Sequence, residues 1–342
     1  MKILPKIKTK IARELGYLTG KFTTLPEYVS LIITFNCNFK CQSCSIWTKT
    51  DHHELAETDW QNIASQLSKS LPQSSFIEIN GGEPLLRKSL AVNLIKQLKK
   101  HFQTVALNTN GSTINEDVLA ELKEADLDII KLSLYSLNKV IHNTLRGSEI
   151  AFEHATNAIK LINQSRIKLE IGALITSQNI LGLPELISYL SGLSDTSIIL
   201  QPLDEKIESP ESKSFSGNNL PKNLWPDEKE IISFFNWLEQ DSHTAKIKNS
   251  PMALEAMRKY YLDPRSALDY RCFSGQRNLI IYPNGEMSFC FKRPKFGNAL
   301  NKPILDQIKT ADNERKNIQK CQKYCRIVGC NLSKGIKEYF IK

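Results

Sequence analysis

Cys37, Cys41 and Cys44 fall in one short loop, spaced C-x3-C-x2-C, where an apolar run ends. Thiolates held this close share one metal centre, yet three of them cannot close a cubane cluster that takes four cysteine ligands, so one iron is left open. An open position is where chemistry happens; catalytic zinc sites likewise keep one place free for water or substrate. Spacing alone still allows zinc. The other cysteines, Cys272, Cys290, Cys321, Cys325 and Cys330, all lie toward the C-terminus, where the same choice between iron and zinc stands.

A second chemical signal follows the apolar run Phe76 to Ile79, in Asn80-Gly81-Gly82-Glu83-Pro84. Paired glycines let a backbone approach a ligand closely, and a glutamate beside them offers charge to a cation. His52 and His53 are adjacent, which seldom suits one metal, and read as surface. Asn-Gly supplies the positive φ of a tight turn, so Leu279 to Tyr282 and Glu286 to Phe291, around Pro283-Asn284-Gly285, read as a hairpin that brings Cys272 and Cys290 to one side.

Short runs rich in Ile, Val and Leu position these groups: Tyr28 to Asn36, Phe76 to Asn80, Thr104 to Asn108, Ile129 to Tyr135, Lys168 to Thr176 and Ser197 to Leu203. Such runs read as buried parallel strands. Helices fall between them, with capping boxes expected at Thr58-x-x-Gln61 and Thr113-x-x-Glu116 and a helical stripe at Trp60, Ile63, Leu67 and Leu71. Strand then helix, repeated, implies an α/β fold: a parallel sheet with helices outside. The stretch Asp204 to Asp227, punctuated by Pro210, Pro221 and Pro226, reads as a long loop, a substrate lid or a mobile insertion. A helix follows around Glu228 to Glu239.

Bulk properties fit a globular chain of 342 residues, 41% hydrophobic and 24% charged. No run approaches a membrane span, and the basic N-terminus lacks the apolar segment of a signal peptide, so a cytoplasmic, reducing compartment is expected and the cysteines point to metal rather than disulfides. The net charge of +9 is spread along the chain without interleaved aromatics, which argues against a nucleic-acid face. The basic segment Met1 to Lys21 reads as a helix covering one end of the fold in preference to one touching anionic lipid.

Together the cysteine loop and the Gly-Gly-Glu-Pro run resemble the radical S-adenosylmethionine (AdoMet, or SAM) enzymes, over about Val29 to Leu203. The resemblance implies a partial (β/α)6 barrel, an open relative of the eight-unit barrel, with the reactive centre at the carboxyl ends of the strands. It implies that Cys37, Cys41 and Cys44 hold a [4Fe–4S] cluster whose open iron chelates AdoMet, and that Gly81, Gly82 and Glu83 receive the methionine ammonium. Ser133 matches a ribose contact, and Arg146 a position that reaches the AdoMet carboxylate or ties loop to sheet. The family's usual aromatic before the third cysteine is Ser43 here, leaving Phe39 or Trp47 to cover the adenine. One-electron cleavage of AdoMet to a 5′-deoxyadenosyl radical, then hydrogen abstraction from a C–H bond, is the implied chemistry. An electron donor such as flavodoxin or ferredoxin is the implied partner.

The C-terminal cysteines, C-x12-G-x4-C followed by Cys321 and Cys325, resemble the SPASM and Twitch extensions, which bind auxiliary [4Fe–4S] clusters. With five cysteines the expectation is one auxiliary cluster on four of them, with Cys330 as candidate spare thiol and hydrogen donor if Cys321 and Cys325 share a helix face. The expected organisation is an N-terminal extension over 1–27, a barrel over 28–245 and an auxiliary cluster domain over 246–342. Few residues precede the first strand, which favours oxidation or epimerisation of a small-molecule or carbohydrate substrate. The alternative is a peptide-modifying maturase. A non-catalytic iron–sulfur or zinc-binding protein is the distant alternative.

Overall fold

The computed structural model describes residues 3–49, 53–204, 224–240, 246–327 and 332–333. Six strands, β1 (Tyr28–Ile32), β2 (Phe76–Asn80), β3 (Thr104–Thr109), β4 (Ile129–Ser133), β5 (Lys168–Leu174) and β6 (Thr196–Gln201), pair in parallel in sequence order. Helix α1 (Ile3–Thr19) precedes them, and α2 (Glu57–Ser70), α3 (Lys88–Lys99), α4 (Glu116–Glu124), α5 (Lys139–Arg146), α6 (Ala151–Ser165) and α7 (Leu183–Ser191) connect them. Helices α8 (Glu228–Gln240), α9 (Pro251–Leu262), α10 (Ser274–Arg277), α11 (Ile304–Thr310) and α12 (Asp312–Gln319) follow, with strands β7 (Arg271–Cys272), β8 (Asn278–Ile281), β9 (Glu286–Ser288), β10 (Gly297–Asn298) and β11 (Leu332–Ser333). This is the parallel α/β sheet that the repeat implies, in the partial-barrel form that the resemblance implies.

Alternation along each strand divides the sheet into two faces. Leu31, Ile77, Ile79, Leu107, Ile130, Leu169 and Ile171 share one apolar core with Trp60, Ile63 and Leu67 of α2 and Ile95 and Leu98 of α3. Each such side chain stabilises the fold by roughly 1.5–3 kcal/mol on burial. The opposite face is not apolar, although the strand sequences read as continuous hydrophobic runs. Lys131 Nζ lies 3.2 Å from both Glu78 Oε1 and Glu170 Oε1, and Lys248 Nζ lies 2.7 Å from Glu170 Oε2. Below it the rings of Tyr28 and Phe76 stack at 5.5 Å, with Lys131 5.1 Å from the Phe76 centroid. Charge and aromatic rings fill the floor of the barrel.

The expected hairpin forms between β8 and β9, and β8 pairs in parallel with β1, so the C-terminal region extends the barrel sheet at its first strand. Only Gly285 in the turn has positive φ (+81°), while its N–H donates to the Tyr282 carbonyl at 2.9 Å. That is a three-residue connection with a left-handed glycine rather than a turn using positive φ at Asn284 too. Both expected capping boxes shift. Asp59 accepts the Ala56 N–H at 3.2 Å at the start of α2, and Asn115 accepts the Val118 N–H at 2.8 Å at the start of α4. An acidic or amide oxygen adjacent to the true first turn caps it better than Thr58 or Thr113 placed off register.

Helix α1 seats against the C-terminal cysteine region. Buried Glu14 pairs with Arg271 at 2.5 Å, Tyr17 meets the Phe273 ring edge-on, and Gln276 donates to the Arg13 carbonyl at 3.1 Å. Arg13 also pairs with Glu27, at the start of β1. No helix among the described residues is long and apolar enough to cross a membrane.

Candidate functional site

The cysteine loop leaves β1 through Ile33 to Asn36, and that exit is stitched to the exit of β2. Ile33 N–H donates to Asn80 O (3.0 Å), Gly82 N–H to Thr34 O (2.9 Å) and Glu83 N–H to Asn36 O (2.8 Å). Here lies the reason for the glycine pair. A Cβ on Gly82 would stand 2.1 Å from the Asn36 carbonyl oxygen, and Gly81, at φ +155°, would bring one to 2.5 Å from that of Thr34. The glycines are required by the approach of chain to chain, before any ligand is considered. Glu54 closes the same root, accepting from Thr34 Oγ1 at 2.6 Å and Phe35 N–H at 3.0 Å.

Glu83 is fully buried. Its oxygens accept from Leu85 N–H (3.1 Å), Thr109 Oγ1 (2.8 Å) and Asn110 N–H (2.7 Å). Burial pushes its carboxyl above the usual range, against these donors and the nearby Arg146. Asn110 in turn donates from Nδ2 to Asn38 Oδ1 (2.7 Å), and Asn38 donates to Ser112 Oγ (2.8 Å). The loop after β3 thus grips the cysteine loop between Cys37 and Cys41. Sequence reading missed Asn38, Asn110 and Ser112, since short polar residues in turns look alike; their only signal was position just past a strand end.

Cys41 is buried, and Cys37 and Cys44 are half-buried. Burial pushes the Cys37 thiol up and that of Cys44 up to about 11, and each feels the charge of neighbouring thiols in this set. Thiolates gathered in poor solvent need a cationic centre, which is what a metal cluster supplies. Beneath them lies Arg146, 8% exposed. Its guanidinium donates to Tyr135 Oη at 3.1 Å and sits 5.6 Å from the Phe39 ring centroid, while Nε is buried without a hydrogen-bond partner. Gly147, at φ +59°, ends α5 against the loop: a Cβ there would lie 2.0 Å from Lys40 O, and Gln42 N–H donates to Leu145 O at 3.0 Å. Phe39 is buried, and Trp47 donates to the Cys41 carbonyl at 3.4 Å. Ser133 stands half-buried at the carboxyl end of β4, opposite Gly172 of β5.

A second cysteine cavity lies in the C-terminal region. Cys272, Cys290, Cys321 and Cys325 line it together, with Lys292, Arg293, Lys323 and Arg326 around them. Burial pushes Cys272 up to about 12 and raises Cys290 and Cys325, while Lys292 or Arg326 pulls each of them back. Four thiols in a cationic cup fit a four-thiolate cluster. Cys321 and Cys325 are not on a shared helix, because α12 ends at Gln319; an irregular turn delivers them. Among the described residues no three His, Cys, Asp or Glu side chains are placed to share a single metal ion. His53 is exposed; Cys330, His52 and most of the expected 204–227 loop lie outside the described residues.

Residues 31–188 match the radical SAM superfamily, which the chain resembles over that stretch. A probable GTP 3′,8-cyclase of Sulfolobus acidocaldarius is 26% identical over 165 residues, 48% of this chain and 52% of that protein. A PqqA peptide cyclase of Bradyrhizobium diazoefficiens is 28% identical over 176 residues, 49% and 44% of the two. The chain thus spans about half the length of these curated relatives. Beyond the matched core, the fold is shared with Streptococcus suis SuiB. Bound to S-adenosylmethionine, SuiB superposes with TM-score 0.65 at 17% identity (89% of this chain, 69% of that one). Bound to its precursor peptide SuiA, it gives 0.68 at 18% (95% and 74%). The cofactors of the family, AdoMet and a [4Fe–4S] cluster, are those that the first cysteine site fits.

Proposed function

We propose that the chain is an AdoMet-dependent enzyme holding one [4Fe–4S] cluster on Cys37, Cys41 and Cys44 and one auxiliary [4Fe–4S] cluster on Cys272, Cys290, Cys321 and Cys325. When bound, AdoMet and the first cluster supply one-electron cleavage of a sulfonium bond and, with it, hydrogen abstraction from an unactivated carbon. The observation that carries this reading is the pairing of β8 with β1, which joins the strand that leads into the first cysteine loop to the β8–β9 hairpin that leads to Cys290 of the second set. Arg146, with a free Nε under the cysteine loop, is the cation that meets an anionic cofactor group. Glu83, its oxygens occupied by three donors, is a positioning residue that fixes the β2 exit, where Gly81 and Gly82 present backbone to the ammonium. Ser133 is assigned to the ribose.

For the substrate, a peptide is the first reading. Charge and rings fill the barrel floor, so substrate meets the site at the mouth, a geometry that suits an extended chain laid across the strand ends. The PqqA peptide cyclase relative supports it. A small molecule, oxidised or epimerised at carbon, is the second reading, supported by the GTP 3′,8-cyclase. The test of the common chemistry is anaerobic reconstitution. The protein should hold about eight irons, and the Cys37, Cys41 and Cys44 triple alanine variant about four. With AdoMet and dithionite the parent should release 5′-deoxyadenosine and the variant none. Stoichiometric zinc without iron uptake overturns the assignment.

A further inference from the structure

We propose that Lys292 sets the reduction potential of the auxiliary cluster and that Asp204, at the mouth of the barrel, moderates it; this rests on reading the four-cysteine cavity as a cluster site. Lys292 lines that cavity, yet its side chain is only 6% exposed. Its peptide N–H donates to Cys290 Sγ at 3.4 Å, and its ammonium reaches Asp204 Oδ1 at 2.8 Å. Burying an ammonium is costly unless anions surround it, and here the Asp204 carboxylate and the thiolates are among them.

Of the other cations around the cavity, Lys323 lines it too, while the two arginines are tied to protein oxygens. Arg293 is paired with Glu314 at 2.9 Å, and Arg326 donates to the Tyr270 and Cys321 carbonyls. Lys292 is the cation of this lining whose ion pair reaches the barrel, because Asp204 lies just beyond the carboxyl end of β6. A fixed positive charge favours the reduced, more negative state of a cluster, whose potential depends on local charge and on hydrogen bonds to its sulfurs. In a poorly solvated cavity this effect is screened little.

Opposite signs follow for the two partners. In full-length protein carrying alanine at Cys37, Cys41 and Cys44, only the auxiliary cluster remains, and its midpoint potential is read by an EPR-monitored redox titration. Lys292→Met should move it to more negative values, Asp204→Asn to more positive ones, and Lys292→Arg should leave it near the parent. A merely structural role would loosen the cavity in both partners and move both the same way, so shifts of one sign, or no shift, overturn the proposal. Should Lys292→Met fail to take up iron, Asp204→Asn and Lys292→Arg decide it by the same criteria. Absence of iron from the parent of this series overturns the cluster assignment and the proposal with it, whereas normal iron with unmoved potentials overturns the proposal alone.

Discussion

Glu83 has no solvent exposure, and donors from two different loops are aimed at its two oxygens, so its ionised form is held by geometry rather than by water. Glutamine in its place keeps one acceptor oxygen and turns an NH2 toward a backbone N–H, either that of Asn110 or that of Leu85. One buried donor is then left without an acceptor, at a cost of about 1–3 kcal/mol. Urea unfolding of the cluster-free protein should show Glu83→Gln destabilised by that much; an unchanged midpoint would remove Glu83 from its organising role. His142 gives a pH signature nearby. Its Nδ1 accepts the Tyr135 N–H at 3.1 Å, and burial, with Arg146 adding to it, pushes the imidazole down to about 3. Between that value and the ordinary histidine range the unfolded chain binds a proton that the folded chain does not. Stability is therefore fully present above the unfolded pKa and is lost as pH falls toward 3. From about pH 7.5 to about pH 5 the loss should be about 2 kcal/mol from this group, given an unfolded pKa near 6.5. His142→Gln retains the acceptor and should flatten that slope; equal slopes in parent and variant would refute the assignment.

Elements meet at the cysteine loop through backbone contacts that leave no room for a side chain. At Gly82 the obstacle is the Asn36 carbonyl, which cannot swing aside as a flexible side chain would. Gly82→Ala should part the exits of β1 and β2, so that iron falls from about eight toward about four while far-UV circular dichroism is kept. Gly182→Ala, with nothing within 4 Å of the new methyl group, is the matched control and should retain full iron. If both variants load alike, the stitched exits do not hold the loop. This junction was only half legible in the sequence. The spacing of Cys37, Cys41 and Cys44, the strand–helix alternation, the stripe at Trp60, Ile63, Leu67 and Leu71, and the β8–β9 hairpin could all be read, because each is a local pattern of residue type and period. The reason for Gly81 and Gly82 could not, since it depends on a carbonyl more than 40 residues away in the chain. Nor could the Glu78, Lys131 and Glu170 layer: single charges in apolar strands give no sign that three of them converge. The pairing of β8 with β1 is a contact across about 250 residues, beyond any window of periodicity.

At the scale of the molecule, the cysteine region is held by the barrel on one side and by α1 on the other. Arg271, next to Cys272, has the fully buried Glu14 as its counter-charge, and its guanidinium also lies 5.2 Å from the Tyr17 ring. Gln319, two residues before Cys321, bonds through its side chain to the Tyr17 carbonyl. Both flanks of the four-cysteine cavity therefore lean on one helix, whereas the first cysteine loop is fixed by Glu54, Asn110 and Gly147. Removing residues 1–19 should accordingly cost the auxiliary cluster before the first one. Iron in the truncated protein should fall toward about four, with the AdoMet-responsive EPR signal of the first cluster kept. Glu14→Gln should act in the same direction more weakly, because it leaves the helix docked but Arg271 without its carboxylate, a loss worth about 3–5 kcal/mol where the pair is fully buried and less here, with Arg271 partly exposed. Loss of the first cluster's signal instead, or full iron in the truncated protein, would show that the helix does not brace the cavity.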